Sequence, residues 1–239
     1  PWNALGPWLR RRFGGPVARL PVDAGFTCPT RDGTLATGGC LYCDAGGARA
    51  AHAEPAVPVA SQIALGIERN RAGSRPAEHF IAYFQAFTNT YAAPATLERL
   101  YSEALDDPRV AALAIGTRPD CLPDDTLDVI ERIARRTFLW LEVGLQSASD
   151  EALRRVGRGH DAAAFADAAR RLRERGIRFS AHVIFGLPGD DPARAPEAAA
   201  QLLNAAGVWA VKAHNLYIDA GSALAEAWHW AAHRTAFQR

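Results

Sequence analysis

Uninterrupted apolar segments alternate with amphipathic segments along most of the chain. The apolar segments cover residues 18–26, 79–87, 109–117, 137–145, 177–187 and 208–218. Such runs are typical of strands buried on both faces of a parallel sheet. The amphipathic segments, with apolar residues at helical spacing, cover residues 59–71, 95–107, 125–136, 149–159, 161–176 and 192–207. The alternation predicts an α/β fold in which parallel strands form an open or partial (β/α)6 barrel with outer helices.

No linker, internal repeat or low-complexity tract interrupts this alternation, so residues 1–239 are expected to form one domain. Single barrels of strands and helices commonly reach this length. The chain contains no methionine, even at position 1. We therefore expect the sequence to be trimmed at its start and to be truncated at its end as well.

Composition excludes several classes of protein. Apolar residues make up 49% of the chain and charged residues 22%, which are ordinary globular values and exclude a disordered chain. The longest apolar stretches are far shorter than the roughly 20 residues of a membrane-spanning helix. Near the N-terminus the arginines follow the apolar residues, the reverse of a secretory signal. These features predict a cytoplasmic protein with reduced thiols and no membrane association.

Charge gives little support for nucleic-acid binding. The formal net charge is +1, and Lys212 is the only lysine. Arginines cluster at 10–12 and at 170–178, where they are interpreted as solvated helix ends. A basic stripe of the kind that binds nucleic acid is not evident.

Polar and glycine-containing segments follow the predicted strands. They read "FQAFTNTY", "GTRPDC", "EVGLQS", "HVIFGLPGDD" and "HNLYIDAGS". In parallel α/β folds, ligands bind at the carboxyl ends of the strands. The sequence therefore predicts a functional site at that edge of the sheet.

Three of the four cysteines lie in one loop directly after the first predicted strand. Cys28, Cys40 and Cys43 have the spacing C-x11-C-x2-C in "CPTRDGTLATGGCLYC". Disulfides are unfavourable in a reducing compartment. A C-x2-C element can wrap two thiolates around one metal centre, and Gly38 and Gly39 permit unusual backbone angles beside it. The loop, residues 27–47, is therefore predicted to bind metal.

Two kinds of metal centre are compatible with this loop. A structural zinc site needs four ligands, and Cys121 or His52 could supply the fourth in a zinc-stabilised binding module without catalytic activity. Such a site usually contains two C-x2-C-like pairs, whereas this chain has one pair and one distant cysteine. The spacing favours an iron-sulfur cluster in which three thiolates leave one iron open.

The cysteine loop resembles that of the radical S-adenosylmethionine (radical SAM) superfamily. "YFQAFTNTYA", "TRPDCLPD", "LEVGLQSASDEALRRVGRGHD", "HVIFGLPGD" and "VKAHNLYI" extend the resemblance over nearly the whole chain. They are similar to a YhcC-like bacterial subgroup related to the Elongator catalytic subunit and to oxygen-independent coproporphyrinogen oxidase. The resemblance implies a partial barrel whose cysteines hold a 4Fe-4S cluster. It also implies that the open iron binds the amino and carboxylate groups of S-adenosylmethionine.

The resemblance also implies roles for residues at the strand ends. Tyr42, between the last two cysteines, would lie near the adenine, and the backbone at Gly186 would frame it. Gln85 would receive the amino group of S-adenosylmethionine. Gln146 and Arg158 would contact the cofactor, with the Arg158 guanidinium directed at its carboxylate.

Other candidates have less specific expected roles. Glu142 lies on the same face of its strand as Gln146, and the resemblance implies that it binds substrate or cofactor. His182 is interpreted as a hydrogen-bonded core histidine, and His160 and His214 as further candidates for the pocket. Cys121 is expected to be buried.

The chemistry implied by the resemblance begins with a reduced 4Fe-4S cluster. One electron enters the sulfonium of S-adenosylmethionine, which yields methionine and a 5'-deoxyadenosyl radical that abstracts hydrogen from a substrate. The implied partners are S-adenosylmethionine, an electron donor such as flavodoxin or ferredoxin, and a small-molecule substrate or an RNA base. The sequence contains neither a G-x-S-x-G motif nor a phosphate-binding G-x4-G-K-[ST] motif.

Overall fold

A computed structural model describes residues 3–47, 49–50 and 53–227. Its sheet contains six parallel strands that lie side by side in chain order. The strands are β1 (Val17–Val22), β2 (His79–Phe84), β3 (Val110–Thr117), β4 (Phe138–Gln146), β5 (Phe179–Phe185) and β6 (Ala210–Asn215). Among the described residues, β1 and β6 each pair with a single neighbour, so the sheet forms a half-barrel. The predicted partial (β/α)6 barrel is confirmed.

Helices surround this half-barrel. They are α1 (Leu5–Phe13), α2 (Val59–Arg71), α3 (Pro94–Glu103), α4 (Asp124–Ala134), α5 (Asp150–Arg155), α6 (Ala162–Glu174) and α7 (Ala195–Ala206). Two helix starts are fixed by side chains that accept backbone hydrogen bonds. Ser149 accepts from the Ala152 amide at 3.2 Å, and Asp161 accepts from the Ala164 amide at 2.8 Å. These caps fix the starts of α5 and α6, the two helices between β4 and β5.

Apolar residues pack on both sides of the sheet. The larger cluster fills the space between the outward faces of the strands and the helices, and includes Leu113, Phe165 and Ile63. A smaller cluster fills the inside of the half-barrel around Trp140 and Ile81, both of which are fully buried. Burial on both faces explains why the strand sequences are continuously apolar.

Helix α1 closes the amino-terminal end of the half-barrel and was not predicted. The Trp8 ring lies 5.6 Å from the ring of Phe138 and 5.2 Å from that of Trp209, measured between centroids. Phe13 contacts Phe138 edge-on at 6.0 Å. Because this end is filled by aromatic side chains, space for a ligand lies at the opposite end, where the strands finish.

Three boundaries differ from the sequence prediction. Strand β1 ends at Val22 and β2 at Phe84, so the segments that follow them belong to loops. Strand β6 ends at Asn215, and a short helix covers residues 223–227. Within the described ranges, no helix combines the length and the apolar content that crossing a bilayer requires.

Candidate active site

A cavity of ≈ 340 Å³ lies at the carboxyl ends of the strands. Its walls come from the cysteine loop and from the ends of β2, β3, β4, β5 and β6. The predicted site residues that line it are Cys28, Cys40, Tyr42, Cys43, Gln85, Glu142, Gln146 and Arg158. One cavity therefore brings together residues separated by more than a hundred positions in the sequence.

Gly186 is the predicted site residue that the cavity lining does not include. It lies one residue beyond β5, with φ at 92°, a left-handed backbone conformation that favours glycine. Its neighbours Ile184 and Leu216 do line the cavity. The Leu216 amide donates to the Phe185 carbonyl at 2.7 Å, which holds this turn beside the cavity.

The cysteine loop is folded by tight turns and by close packing around glycines. The Cys43 amide donates to the Cys40 carbonyl at 2.9 Å, so the C-x2-C element forms a turn. Gly39 has a φ of 84°, and a Cβ at that position would lie 2.7 Å from the Arg31 Nε atom. The Leu41 amide donates to the Val156 carbonyl at 2.9 Å. This bond ties the loop to the end of α5 and so holds the cysteines against the strands.

The surroundings of the thiols differ. Burial alone would raise the pKa of Cys28, but hydrogen bonds from Thr30 and Thr88 and the charge of Arg118 outweigh it and lower that pKa. The Cys28 Sγ atom lies 3.2 Å from the Thr30 Oγ1 atom. Burial raises the pKa of Cys43, although Arg31 opposes the effect. Cys28 therefore has the more favourable environment for a thiolate, the form that binds iron.

Two buried arginines face the cysteine sulfurs. The Arg158 Nη1 atom lies 3.8 Å from the Cys40 Sγ atom, and its Nη2 atom donates to the Gly144 carbonyl at 2.9 Å. Gly144 is required for this approach, because a Cβ there would lie 2.6 Å from the Arg158 Nη2 atom. Arg118 lies 3.9 Å from Cys28 through its Nη1 atom and pairs with Asp120 at 2.7 and 2.9 Å.

Several buried polar atoms around the cavity have no hydrogen-bond partner in the described part of the chain. They include the Tyr42 hydroxyl, the Gln146 Oε1 atom and the Arg158 Nε atom. A buried polar group that stays unsatisfied costs about 1–3 kcal/mol. Gln146 also has a φ of 74°, an uncommon conformation for a residue with a side chain. Unsatisfied atoms and local strain on one cavity wall indicate a site for a polar ligand.

A network of charged side chains lies on another wall. The Tyr83 hydroxyl donates to the Glu142 Oε2 atom at 2.7 Å, and the Lys212 Nζ atom lies 3.2 Å from the same oxygen. Sequence reasoning named Glu142 but missed Tyr83 and Lys212. The available signal for Lys212 was its status as the single lysine, two residues before His214 on a strand with period-two alternation.

His182 and His160 occupy different places from those expected, whereas His214 lines the cavity. His182 is not enclosed in the apolar core; it lines the cavity, and its Nε2 atom lies 2.5 Å from the His214 Nε2 atom. Burial and the charges of Lys212 and His214 lower the pKa of His182 to about 3. His160 lies outside the cavity lining, and burial lowers its pKa to about 4. His52 lies outside the described residues.

Cys121 is buried, as expected, and does not join the other three cysteines. It lines a separate surface groove with Leu122 and Tyr91, and burial raises its pKa to about 12.

Asn89 lies in the loop that follows β2. It donates to the Gly116 carbonyl at 3.0 Å and so connects that loop to β3.

The donor set can be compared with the two metal centres considered from the sequence. A tetrahedral zinc binds each sulfur at about 2.3 Å, so its ligand sulfurs lie within about 4 Å of one another. No three histidine, cysteine, aspartate or glutamate side chains in the described ranges are grouped closely enough to hold a single ion. Ligands of a cluster bind different irons and are spaced more widely. Three thiols on one cavity, with buried guanidinium groups beside two of them, fit a cluster.

A model of the radical SAM superfamily matches residues 34–202, well over half of the chain. The chain belongs to the radical SAM superfamily. The matched residues include Cys40 and Cys43 and begin just after Cys28. This boundary agrees with the wide first gap in the cysteine spacing. Membership indicates a radical SAM enzyme but does not specify the reaction that it catalyses.

Similar proteins occur in bacteria and archaea. The chain is 38% identical over 228 residues to protein YhcC of Escherichia coli K12, covering 95% of this chain and 72% of that protein. It is 36% identical over 223 residues to YtqA of Bacillus subtilis, covering 92% and 68%. It is 30% identical over 233 residues to MJ0486 of Methanocaldococcus jannaschii, covering 96% and 70%. The expected YhcC-like relationship is confirmed.

Solved structures of radical SAM proteins share the fold. Elp3 of Methanocaldococcus infernus, with an N-terminal deletion, superimposes with a TM-score of 0.64 at 18% identity, covering 90% of this chain and 49% of that one. Coproporphyrinogen III oxidase (HemN) of Escherichia coli gives 0.56 at 19% identity, covering 89% and 47%. The chain thus spans about half of each, and at these identities the likeness concerns the fold alone.

Proposed function

We propose that Cys28, Cys40 and Cys43 bind a 4Fe-4S cluster and that the cavity beside them binds S-adenosylmethionine. The observation that carries this proposal is the meeting of three thiols and a buried guanidinium, that of Arg158, on one cavity of a radical SAM half-barrel. When bound, the cluster would supply one electron for reductive cleavage of S-adenosylmethionine to methionine and a 5'-deoxyadenosyl radical, which would abstract hydrogen from a substrate.

The chain's own residues would bind and orient the cofactor. Arg158 is fixed by its bond to the Gly144 carbonyl, so its guanidinium is held in place to pair with a carboxylate. The Gln146 Oε1 atom and the Tyr42 hydroxyl would receive partners from the cofactor that they lack in the described part of the chain. Gln85 would meet the amino group, and the turn at Gly186 would frame the adenine.

The structure bears on the choice between a small-molecule substrate and an RNA base. Arg171 and Arg175 of α6 pair with Asp124 of α4 at 2.7 and 3.1 Å, and Arg175 also pairs with Asp128 at 2.5 Å. Arg170 pairs with Asp167 and Glu174, so three of the five arginines between positions 170 and 178 are paired with carboxylates within the fold. This pairing favours a small molecule over a polyanion. A reductant such as flavodoxin or ferredoxin completes the proposal, which assumes cytoplasmic conditions with reduced thiols.

Anaerobic reconstitution tests the proposal directly. Protein supplied with iron and sulfide should contain about four of each per chain. After dithionite reduction it should convert S-adenosylmethionine to 5'-deoxyadenosine. Cys40→Ala should lose both the cluster absorbance and this cleavage.

Cys121→Ala is the matched control, because Cys121 is also buried but does not line the cavity. It should retain iron and cleavage. One zinc per chain in place of iron, or equal iron contents in the two variants, would overturn the proposal.

A further inference from the structure

Part of the cavity wall carries a set of hydrogen-bond donors that the cofactor proposal does not use. This set, the Lys212 subsite, consists of Tyr83, Glu142, His182, Lys212 and His214, all of which line the cavity. They come from β2, β4, β5 and β6, so four strands converge on it. Polar groups that converge on one part of a cavity wall are typical of a ligand site.

The Lys212 subsite is adjacent to the region assigned to the cofactor but separate from it. In the sheet register, Gly144 pairs with His182, and His182 pairs with Lys212. Arg158, which faces Cys40, is bonded to the Gly144 carbonyl. A ligand on Lys212 would therefore lie two strands across from the arginine that contacts the cysteine loop, within the same cavity.

The charges around Glu142 leave an excess of positive charge, because Arg19, outside the cavity lining, faces this carboxylate together with Lys212. Glu142 is buried, and its two oxygens are shared between two cations. Its Oε1 atom lies 3.5 Å from the Arg19 Nη1 atom, and its Oε2 atom lies 3.2 Å from the Lys212 Nζ atom. One carboxylate thus faces two basic groups. An oxyanion would complete this pairing.

Lys212 has a donor available for such a ligand. Its ammonium group carries three N–H bonds, and two of them point to the Glu142 Oε2 atom and, at 3.1 Å, to the Tyr83 hydroxyl. The Lys212 side chain remains 39% exposed, although it borders the cavity. The third N–H is therefore accessible from the cavity.

The two histidines form a hydrogen-bonded pair beside Lys212. The His214 Nδ1 atom lies 2.8 Å from the Asn215 carbonyl, which can only accept, so this nitrogen carries a proton. The Nε2 atom of a neutral His214 ring then accepts, and the His182 Nε2 atom, 2.5 Å away, donates to it. Both N–H groups are therefore used within the pair and its backbone contact, which leaves the Lys212 ammonium group as the available donor.

Composition adds an independent argument. The chain has 27 basic residues of the Lys and Arg types, and 26 of them are arginine, since Lys212 is the single lysine. A chain that uses arginine almost everywhere places its one primary ammonium group inside the cavity. The compact, rotatable ammonium fits between Tyr83 and Glu142, a position that the planar guanidinium fork would not match.

We propose that the Lys212 subsite binds an oxyanion of the substrate, a carboxylate or a phosphate carried by a small molecule, through the Lys212 ammonium group, with the His182–His214 pair beside it. This proposal rests on the proposed function, because it assigns the substrate end of the same cavity. It makes the substrate an acid whose anionic group is anchored across the cavity from the cysteine loop, leaving its remaining atoms to face the cofactor.

The single lysine makes the test direct. Protein labelled with 15N at the lysine side chain should give one ammonium signal, from Lys212, without any assignment by mutagenesis. Inorganic phosphate and acetate are titrated separately against chloride at matched ionic strength. We expect a saturable shift of the Lys212 signal with one of them at a dissociation constant in the range of about 1–10 mM. The anion that saturates identifies a phosphate or a carboxylate ligand.

Variants and cofactor loading complete the test. Lys212→Met should weaken binding of that anion at least tenfold by calorimetry, whereas Lys212→Arg should retain part of it. An unmoved Lys212 signal with both anions, or equal binding by Lys212→Met, would overturn the proposal. Titration before and after reconstitution separates the two proposals. Anion binding in protein that never cleaves S-adenosylmethionine would defeat the proposed function alone, and cleavage without anion binding would defeat the subsite alone.

Discussion

The Arg158 Nη1 atom lies 3.8 Å from the Cys40 Sγ atom, although the two residues are 118 positions apart in the sequence. The contact joins the cysteine loop to the segment after α5. It places a buried cation beside one of the proposed cluster ligands. A positive charge at this distance stabilises thiolate over thiol, so Arg158 has two expected effects, one on the loop and one on a bound carboxylate.

Replacing Arg158 by lysine tests its expected effect on a bound carboxylate. The charge is kept but the bidentate fork is lost. We expect the rate of 5'-deoxyadenosine formation to fall about 100-fold while the iron content stays near that of the wild type. Arg154→Lys is the control, since Arg154 is an exposed arginine of α5 paired with Glu151. Equal rates for the two variants would remove Arg158 from cofactor binding.

Gln146 combines local strain with an unsatisfied amide. Its φ of 74° is unfavourable for any residue that has a Cβ. Gln146→Gly should therefore have a free energy of unfolding about 1 kcal/mol higher than that of Gln146→Ala, which keeps the strain. Denaturant melts would measure this difference.

Both Gln146 variants remove the amide, so both should weaken S-adenosylmethionine binding by about tenfold. Equilibrium dialysis of the reconstituted proteins would measure their affinity for S-adenosylmethionine. Wild-type affinity in either variant would show that the Gln146 side chain does not contact the cofactor.

Trp140 anchors the aromatic cluster that α1 covers. It is fully buried, and its Nε1 atom has no hydrogen-bond partner within the described ranges. We expect Trp140→Ala to lower the free energy of unfolding by about 3–5 kcal/mol. Trp140→Phe keeps most of the apolar contact and loses no hydrogen bond, so it should cost less than about 1.5 kcal/mol. Similar losses for the two variants would contradict this account of the core.

Acid should destabilise the protein partly through His182. Burial, with the charges of Lys212, His214 and Arg158, holds the pKa of His182 at about 3, below the ordinary value near 6.5. The unfolded chain therefore takes up a proton before the folded one does. The stabilising contribution is fully present above about pH 6.5 and is lost as the pH falls toward 3.

His182→Gln removes this titration. The difference in unfolding free energy between the variant and the wild type should change by a few kcal/mol between pH 7 and pH 4, with the wild type losing more. Measuring the difference cancels the contribution of His160, which both proteins keep. A constant difference across this range would mean that the pKa of His182 is the same in the folded and unfolded states.

The strands and the cysteine loop could be predicted because their signals are local. Continuous apolar runs mark the strands, and the spacing of Cys28, Cys40 and Cys43 marks the loop. Helix α1 could not be predicted, because its sequence, "LGPWLRRRF", is short and contains glycine and proline. The helix also depends on contacts of Trp8 with residues far along the chain.

The contacts between side chains on the wall opposite the cysteines could not be predicted, for the same physical reason. The Tyr83–Glu142 bond joins residues 59 positions apart, and the Lys212–Tyr83 contact joins residues 129 apart. Only the sheet order brings them together. The strain at Gln146 follows from a register shift between β4 and β5, between Gly144 and Gln146, which has no signature in the local sequence.

Within the described residues, β1 and β6 each leave one side of the half-barrel unpaired, and this affects how tightly the cavity can enclose its contents. A closed barrel has a diameter fixed by its strand number and stagger. A curved sheet that does not meet itself can bend further or flatten while keeping every ladder hydrogen bond. The separation between the cysteine loop beside β1 and Lys212 on β6 can therefore adjust to the length of the molecule held between them.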